Sequence, residues 1–464
     1  MGGKPFRFLH SSDFHLEQPP HGLAEVPDHL VELLTEAPYR AAARVFDLAL
    51  AEEVDFVVLA GNLVHPHQAG PRGLTFLHEQ FARLEARGVV VYWAAGEIDC
   101  REQWPAHVAW PSNVRLFSSH RVERFVHSYG GEPLCQIAGL SVDGTTAAAT
   151  RESGIYLDEF AGSAGSLFTI GVIPHTVDAI ALADLQDRYW ALGGEANCST
   201  PLSLANPQRV AYLAGSPQGR LPAENGPHGC TVVDVDVESQ VRLVPRAADV
   251  VRFHHERIVV DAAAERSELE RLMHERLMTL IAATPDCILL IRWTLVGDGP
   301  LLTNARRSAL AAGLTSILRT DNGFRTPSAW TTAVEIESPA ILDEWYEQET
   351  LLGDYLRAAR SLEHSQVEPL GIQAYLSDRQ LAGPLADIGA IVEPAARRSI
   401  LRQAAVLGAE LLQPDVAAID SLSENHRGLS PFSAGTIDPM VAEKKGTAPL
   451  SADGFRTRAK EPSR

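Results

Sequence analysis

Apolar residues follow two rhythms along the first hundred positions. FRFLH (6–10), DFVVLAG (55–61) and VVVYWAAG (89–96) are nearly continuous apolar runs. Such runs predict strands buried on both faces, which carry no polar alternation. Between them, PYRAAARVFDLALAEE (38–53) and LTFLHEQFARLEARG (74–88) repeat apolar positions at helical spacing, the second stopping at Gly88. The alternation of strand and helix predicts an α/β core.

Further strands are predicted at LCQIAGLSV (134–142), SLFTIGVI (166–173), VAYLAG (210–215), CTVVDVDV (230–237) and QVRLVP (240–245), the later ones in hairpin-like succession. They point to a second sheet. YWALGGEANC (189–198) is an aromatic-led apolar run that stops at two glycines, as a strand does when it delivers a loop to a site. Past about residue 250 the texture changes. ERIVVD (256–261) reads as a strand, and the helix 267–283 opens with Ser267 and Glu270 at capping-box spacing. CILLIRWTLVG (287–297), LLTNARRSALAAGLTSIL (301–318) and AWTTAVEIES (329–338) continue as strand, helix, strand. From Pro339 to Leu412 the pattern is helical, with Leu342, Trp345, Leu351, Leu352, Tyr355 and Leu356 on one stripe, either core or a docking face. The predicted organisation is residues 1–250, a small α/β domain at 251–338, a helical partner-docking segment at 339–412 and a disordered tail at 413–464.

Composition narrows the function. The 464 residues are 45% hydrophobic, enough for two or three globular domains. No stretch reaches the roughly 18 apolar residues of a membrane span, and the N-terminus lacks a signal-peptide core, so a cytoplasmic protein is expected. Five widely spaced cysteines without a CxxC pair predict reduced thiols. A net charge of −19 argues against attraction of the whole chain to nucleic acid, so any DNA contact is local or supplied by a partner. Residues 441–464, with six basic and three acidic side chains, are a weakly basic arm.

Polar groups able to hold metal or phosphate follow successive predicted strands: Asp13 and His15, then Asn62, then Glu97 and Asp99, then His175. That edge of an α/β sheet is where ligands bind. Each alone also reads as a solvated or capping residue. Gly215, Gln218, Gly219 and Arg220 suit either a phosphate-facing turn or a glycine-rich connector, and Arg220 is the candidate phosphate or DNA contact. His228 reads as structural, His254–His255 as a solvated pair in the link to the small domain, and Arg306 and Arg307 as helical arginines facing water or DNA.

HSSDFHLEQP (10–19), AGNLVHP (60–66), AAGEID (94–99), IPHT (173–176) and YWALGGEA (189–196) resemble, in order and spacing, the five motifs of the calcineurin-like metallophosphoesterases. YLAGSPQGRLPAENGPHGCTVVDVD (212–236) is similar to a segment of the nuclease subunit of the bacterial SbcCD exonuclease. The resemblance spans about residues 4–410. It implies a two-sheet αββα sandwich with a small α/β capping domain and a helical C-terminal segment. It also implies two catalytic metals, an SMC-like ATPase partner and a homodimer, with residues 339–412 docking the ATPase.

The family motifs read DxH, GDxxD, GNHD, H and GHxH. Asp13, His15 and His175 match, but Asn62 stands for the bridging aspartate, His65 for the second acid, Glu97 for the asparagine ligand and Ile98 for the catalytic histidine. Gly194 and Ala196 replace the two histidines of the last motif. Without the bridging carboxylate two close cations repel strongly, and Ile98 has no proton to give. The site is therefore expected to hold one divalent ion, Mn or Mg, among Asp13, His15, Asn62, Glu97 and His175, or none. Two readings stay open: a catalytically impaired binding or scaffold subunit, and an active metal-dependent DNA exonuclease or phosphodiesterase with an altered site.

Overall fold

The apolar runs of the sequence lie between and beneath two six-stranded sheets in a computed structural model of the chain. It describes residues 4–105, 108–142, 157–160, 167–183, 185, 187–199, 202–203, 209–297, 300–302, 309–326, 328–337, 341, 343–364 and 394–412. The expectations for the tail 413–464, for Arg306 and Arg307 and for Leu342 lie outside the described residues.

The first sheet has the order β12 (Val241–Ala247), β11 (Gly229–Val235), β1 (Phe6–Ser11), β2 (Phe56–Ala60), β3 (Val90–Ala94), β4 (Val114–Leu116). β1 to β4 run parallel, while β11 pairs antiparallel with both β1 and β12. The second sheet has the order β5 (Glu123–Tyr129), β6 (Glu132–Gly139), β7 (Phe168–Ile173), β8 (Tyr189–Leu192), β10 (Val210–Leu213), β9 (Leu202–Ser203), with β6, β7, β8 and β10 parallel. The 230–245 hairpin thus extends the first sheet rather than building the second. Its apolar face, with Val233 and Val235, joins the layer between the sheets beside Phe6 and Phe8.

That layer is aromatic. Phe8 stacks on Phe56 at 5.1 Å and meets the ring of Tyr189 from the opposite sheet edge-on at 5.3 Å. Helices Asp28–Ala51 and Pro66–Glu85 cover the outer face of the first sheet, burying Val45, Phe46, Leu77 and Phe81. Short helices Leu157–Phe160 and Ala179–Ala183 cover the second sheet over Trp190. This is the αββα sandwich. Both outer helices start earlier than their periodicity predicts. Pro38 suits a helix start, yet here it lies inside Asp28–Ala51, and the second helix carries a kink at Gly70 before Pro71.

Residues 251–336 form a parallel three-stranded sheet, β13 (Val251–Val259), β14 (Ile288–Val296) and β15 (Ala329–Ile336). Helices Arg266–Ala283 and Leu310–Asn322 close one face over Trp293 and Ile291. The other face sets Phe253, Leu290 and Trp330 against Leu30 and Leu34 of the first helix. The capping box does not form. The helix is capped at Glu265 without a side-chain bond, and Glu270 pairs with Arg266 instead. His254 and His255 sit within β13, not in a link, bonded to Glu256 and Thr294 respectively.

The chain divides into two compact units at Pro339 and Ala340. In the second unit, helices Leu351–His364 and Pro394–Leu412 pack on each other through Leu352, Leu356, Ala405 and Ala409. Most of the described stripe is therefore that unit's own core: Leu352 and Leu356 are buried with Trp345 and Tyr355 packed against them, while Leu351 is 70% exposed. All five cysteines are free thiols, and no described helix is long and apolar enough to cross a membrane.

Gln218 joins the sandwich to the small sheet. Its Oε1 accepts the N–H groups of Val250 and Val251, and its Nε2 donates to the carbonyls of Gly219 and Val251. Gln218→Leu leaves several buried backbone groups unpaired, at about 1–3 kcal/mol each. The expected outcome is a clear drop in the denaturant midpoint, measured by tryptophan fluorescence. An unchanged midpoint would show that this joint contributes nothing.

Candidate functional site

Five loops converge at the carboxyl ends of β1, β2, β3, β7 and β8. The segment after β1 runs beside the segment after β2: the N–H groups of Asp13, His15 and Leu16 donate to the carbonyls of Gly61, Asn62 and Leu63. This pairing holds Asp13, His15 and Asn62 at positive φ, +53°, +44° and +54°. Non-glycine residues adopt that region at a cost of order 1 kcal/mol each, and tertiary contacts must maintain it.

Asp13 is the hub. Its side chain is buried, Oδ1 accepts Asn62 Nδ2–H at 3.0 Å, and Oδ2 accepts the Gly194 N–H at 2.8 Å. Burial pushes its carboxyl above the usual range, and these donors partly offset that. Gly193 makes the second contact possible. It packs so tightly on the end of β2 that a Cβ there would collide with the Ala60 carbonyl oxygen.

Asp99 supports the hub from below. Fully buried, it accepts the N–H groups of Asn62, Leu63 and Gly96 at 3.3, 2.8 and 2.6 Å. Burial pushes it up to about 7 against those three donors. A side chain at Gly96 would strike the Asn62 carboxamide, which explains the glycine there. His10, at the end of β1, is buried against the Tyr189 hydroxyl at 2.9 Å and is pushed down to about 3, so it is a neutral core imidazole.

Of the residues read from sequence, Asp13, His15 and Asn62 come together, and the backbones of His175 and Gly194 lie side by side. His15 Nε2 is 3.9 Å from Asp13 Oδ1. Glu97 and Ile98 are half-buried on the adjoining loop, and His175 places Nδ1 3.0 Å from the Thr176 carbonyl. Ala196 contributes its carbonyl to Ser216. Arg220 is drawn inward: Nη1 donates to Gln18 Oε1 at 3.1 Å, and Nε lies 3.7 Å from Glu224. It ties the 12–27 loop to the connector. His228 is structural too, between Ser216 Oγ and the Glu224 carbonyl.

Two site residues draw no role from the motifs, although Asp99 stands at the final aspartate of GNHD. Asp99 was one of several polar strand-end residues, with no role attached. Glu17, 2% exposed at its side chain, has one oxygen on the His65 N–H at 2.9 Å and the other 3.4 Å from His15 Nδ1. Burial pushes Glu17 up, but these two groups more than offset it and leave its carboxyl below the usual range. The signal lay in the acid two residues beyond the histidine of DFHLE.

A pair of divalent ions does not fit these residues. Asn62 and Gly194 bring N–H groups to Asp13, and Gly194 and Ala196 have no donor side chain. Among the described residues no three His, Cys, Asp or Glu side chains are grouped to hold a metal. Asp13 and His15 are the residues that would hold one hydrated ion, since a carboxylate retains lone pairs beyond two accepted bonds.

Asp99→Asn tests the support. One oxygen can keep its donors, but the new amide confronts a backbone N–H, costing about 1–3 kcal/mol. A lower melting temperature is expected by calorimetry; no change would remove Asp99 from this scheme.

Residues 6–167 match the family model of the calcineurin-like phosphoesterases. That segment holds the loops of Asp13, Asn62 and Glu97, and the loops of His175 and Gly194 lie beyond it. Over 300 residues the chain is 26% identical to the uncharacterized metallophosphoesterase YhaO of Bacillus subtilis (strain 168), covering 61% of this chain and 71% of the relative. Together with the αββα sandwich, both comparisons support the calcineurin-like metallophosphoesterase family.

Proposed function

We propose that this chain is a binding or scaffold subunit built on the metallophosphoesterase fold, with hydrolysis impaired. The observation that carries this reading is the Asp13 carboxylate, held by the Asn62 amide and the Gly194 N–H where two-metal chemistry requires cations. Metal-assisted hydrolysis needs an ion to generate the nucleophile and to neutralise the phosphate. Ile98 adds the loss of a proton donor, a contribution of about 10²–10⁴-fold.

The resemblance of residues 212–236 to the SbcCD nuclease subunit supports DNA as the ligand and an SMC-like ATPase and a second copy of the chain as partners. The net charge of −19 favours DNA contact made jointly with such a partner. Leu407 and Leu411, 59% and 72% exposed and one turn apart, are the docking candidates, since Leu352 and Leu356 are interior. The second reading, a one-ion phosphodiesterase, is favoured by the Asp13–His15 pair.

Turnover of bis(p-nitrophenyl) phosphate and of linear duplex DNA with Mn²⁺ separates the two. The expected rate equals that of Asp13→Ala. A rate that exceeds background and disappears in Asp13→Ala would establish the one-ion enzyme instead.

A further inference from the structure

We infer that Glu17 is a positioning residue that holds His15 in its Nδ1–H tautomer and leaves the Nε2 lone pair beside Asp13, keeping a half-site for one hydrated divalent cation. This deepens the reading above and rests on the same loops. Glu17 lies outside the motif positions that the sequence resemblance assigns.

The argument starts with what each buried atom can pair with. His15 Nδ1 and Glu17 Oε1 are both buried without a hydrogen-bond partner and face each other at 3.4 Å, an ion-pair contact rather than a formed hydrogen bond. A carboxylate oxygen only accepts. Were the proton on Nε2, the lone pairs of Nδ1 and Oε1 would face each other in a low-dielectric interior, and neither atom has another partner, while Asp13 Oδ1 stands beyond hydrogen-bond distance of Nε2. The proton therefore sits on Nδ1. The groups are anchored on both sides: Glu17 Oε2 accepts the His65 N–H, and the His15 main chain donates its own N–H to the Asn62 carbonyl.

The consequence appears at the other ring nitrogen. Nε2 is left without a proton, 3.9 Å from Asp13 Oδ1. Ligand atoms about 2.0–2.2 Å from an ion can stand up to about 4.2 Å apart across it, so the two can share one cation. Water completes its shell, which suits Mg²⁺ or Mn²⁺. A carboxylate behind a ligating imidazole fixes its tautomer and raises its basicity, and removing such a partner costs about 10–100-fold in metal affinity.

The tautomer is measurable without metal or substrate. In chelator-treated protein labelled with ¹⁵N-histidine, long-range ¹H–¹⁵N spectra at alkaline pH, assigned with His15→Gln, are expected to show His15 as the Nδ1–H form. In Glu17→Gln the single side-chain carbonyl oxygen is claimed by the His65 N–H, so the amide turns its own N–H to Nδ1 and the Nε2–H form is expected. An Nε2–H form in the wild-type protein overturns the proposal, even if the variant does not fold. So does the same tautomer in both. Mn²⁺ titration followed by electron paramagnetic resonance forms the second arm, with affinity expected to fall about 10–100-fold in Glu17→Gln. Wild-type protein that takes up no Mn²⁺ overturns the half-site, and unchanged affinity in the variant overturns the role of Glu17. Neither arm reads turnover, so their failure is distinct from failure of the functional reading.

Discussion

A buried carboxylate must be compensated, and in this chain the compensation of Asp13 organises the whole loop edge. An uncompensated charge there would cost several kcal/mol. Its two oxygens draw on different sheets: Asn62 belongs to the loop after β2, Gly194 to the loop after β8. Hydrogen bonds to a charged acceptor contribute about 1.5–3 kcal/mol each. The carboxylate thus ties the ends of both sheets together through N–H donors.

The rest of the edge follows from that constraint. Asp99 fixes the backbone that carries Asn62, the close approach at Gly193 lets β8 deliver Gly194, and Asp13, His15 and Asn62, all at positive φ, bring their side chains together. Strain of this kind persists where surrounding structure over-determines it. The same loops bring one aspartate and one histidine side by side.

Much of this was legible in the sequence because it depends on local patterns. Continuous apolar runs marked the buried strands, and five spaced motifs marked the loops that meet. What was not legible depends on partners distant in the chain. The 230–245 hairpin looked like part of a second sheet, yet its side chains fit the first. Pro38 looked like a helix start because only its missing N–H is visible in sequence; burial of Leu30 and Leu34 against the small sheet carries the helix past it. The stripe of Leu352 and Leu356 read equally as core or docking face, since periodicity marks a buried face without naming what covers it. Glu17 lay in plain view, but only the fold shows which oxygen faces which ring.

The central claim is that this edge cannot hold a pair of metal ions. Elemental analysis of the purified, dialysed protein tests it most directly. The account predicts no more than one equivalent of Mn or Zn per chain. Two tightly held equivalents per chain would contradict it.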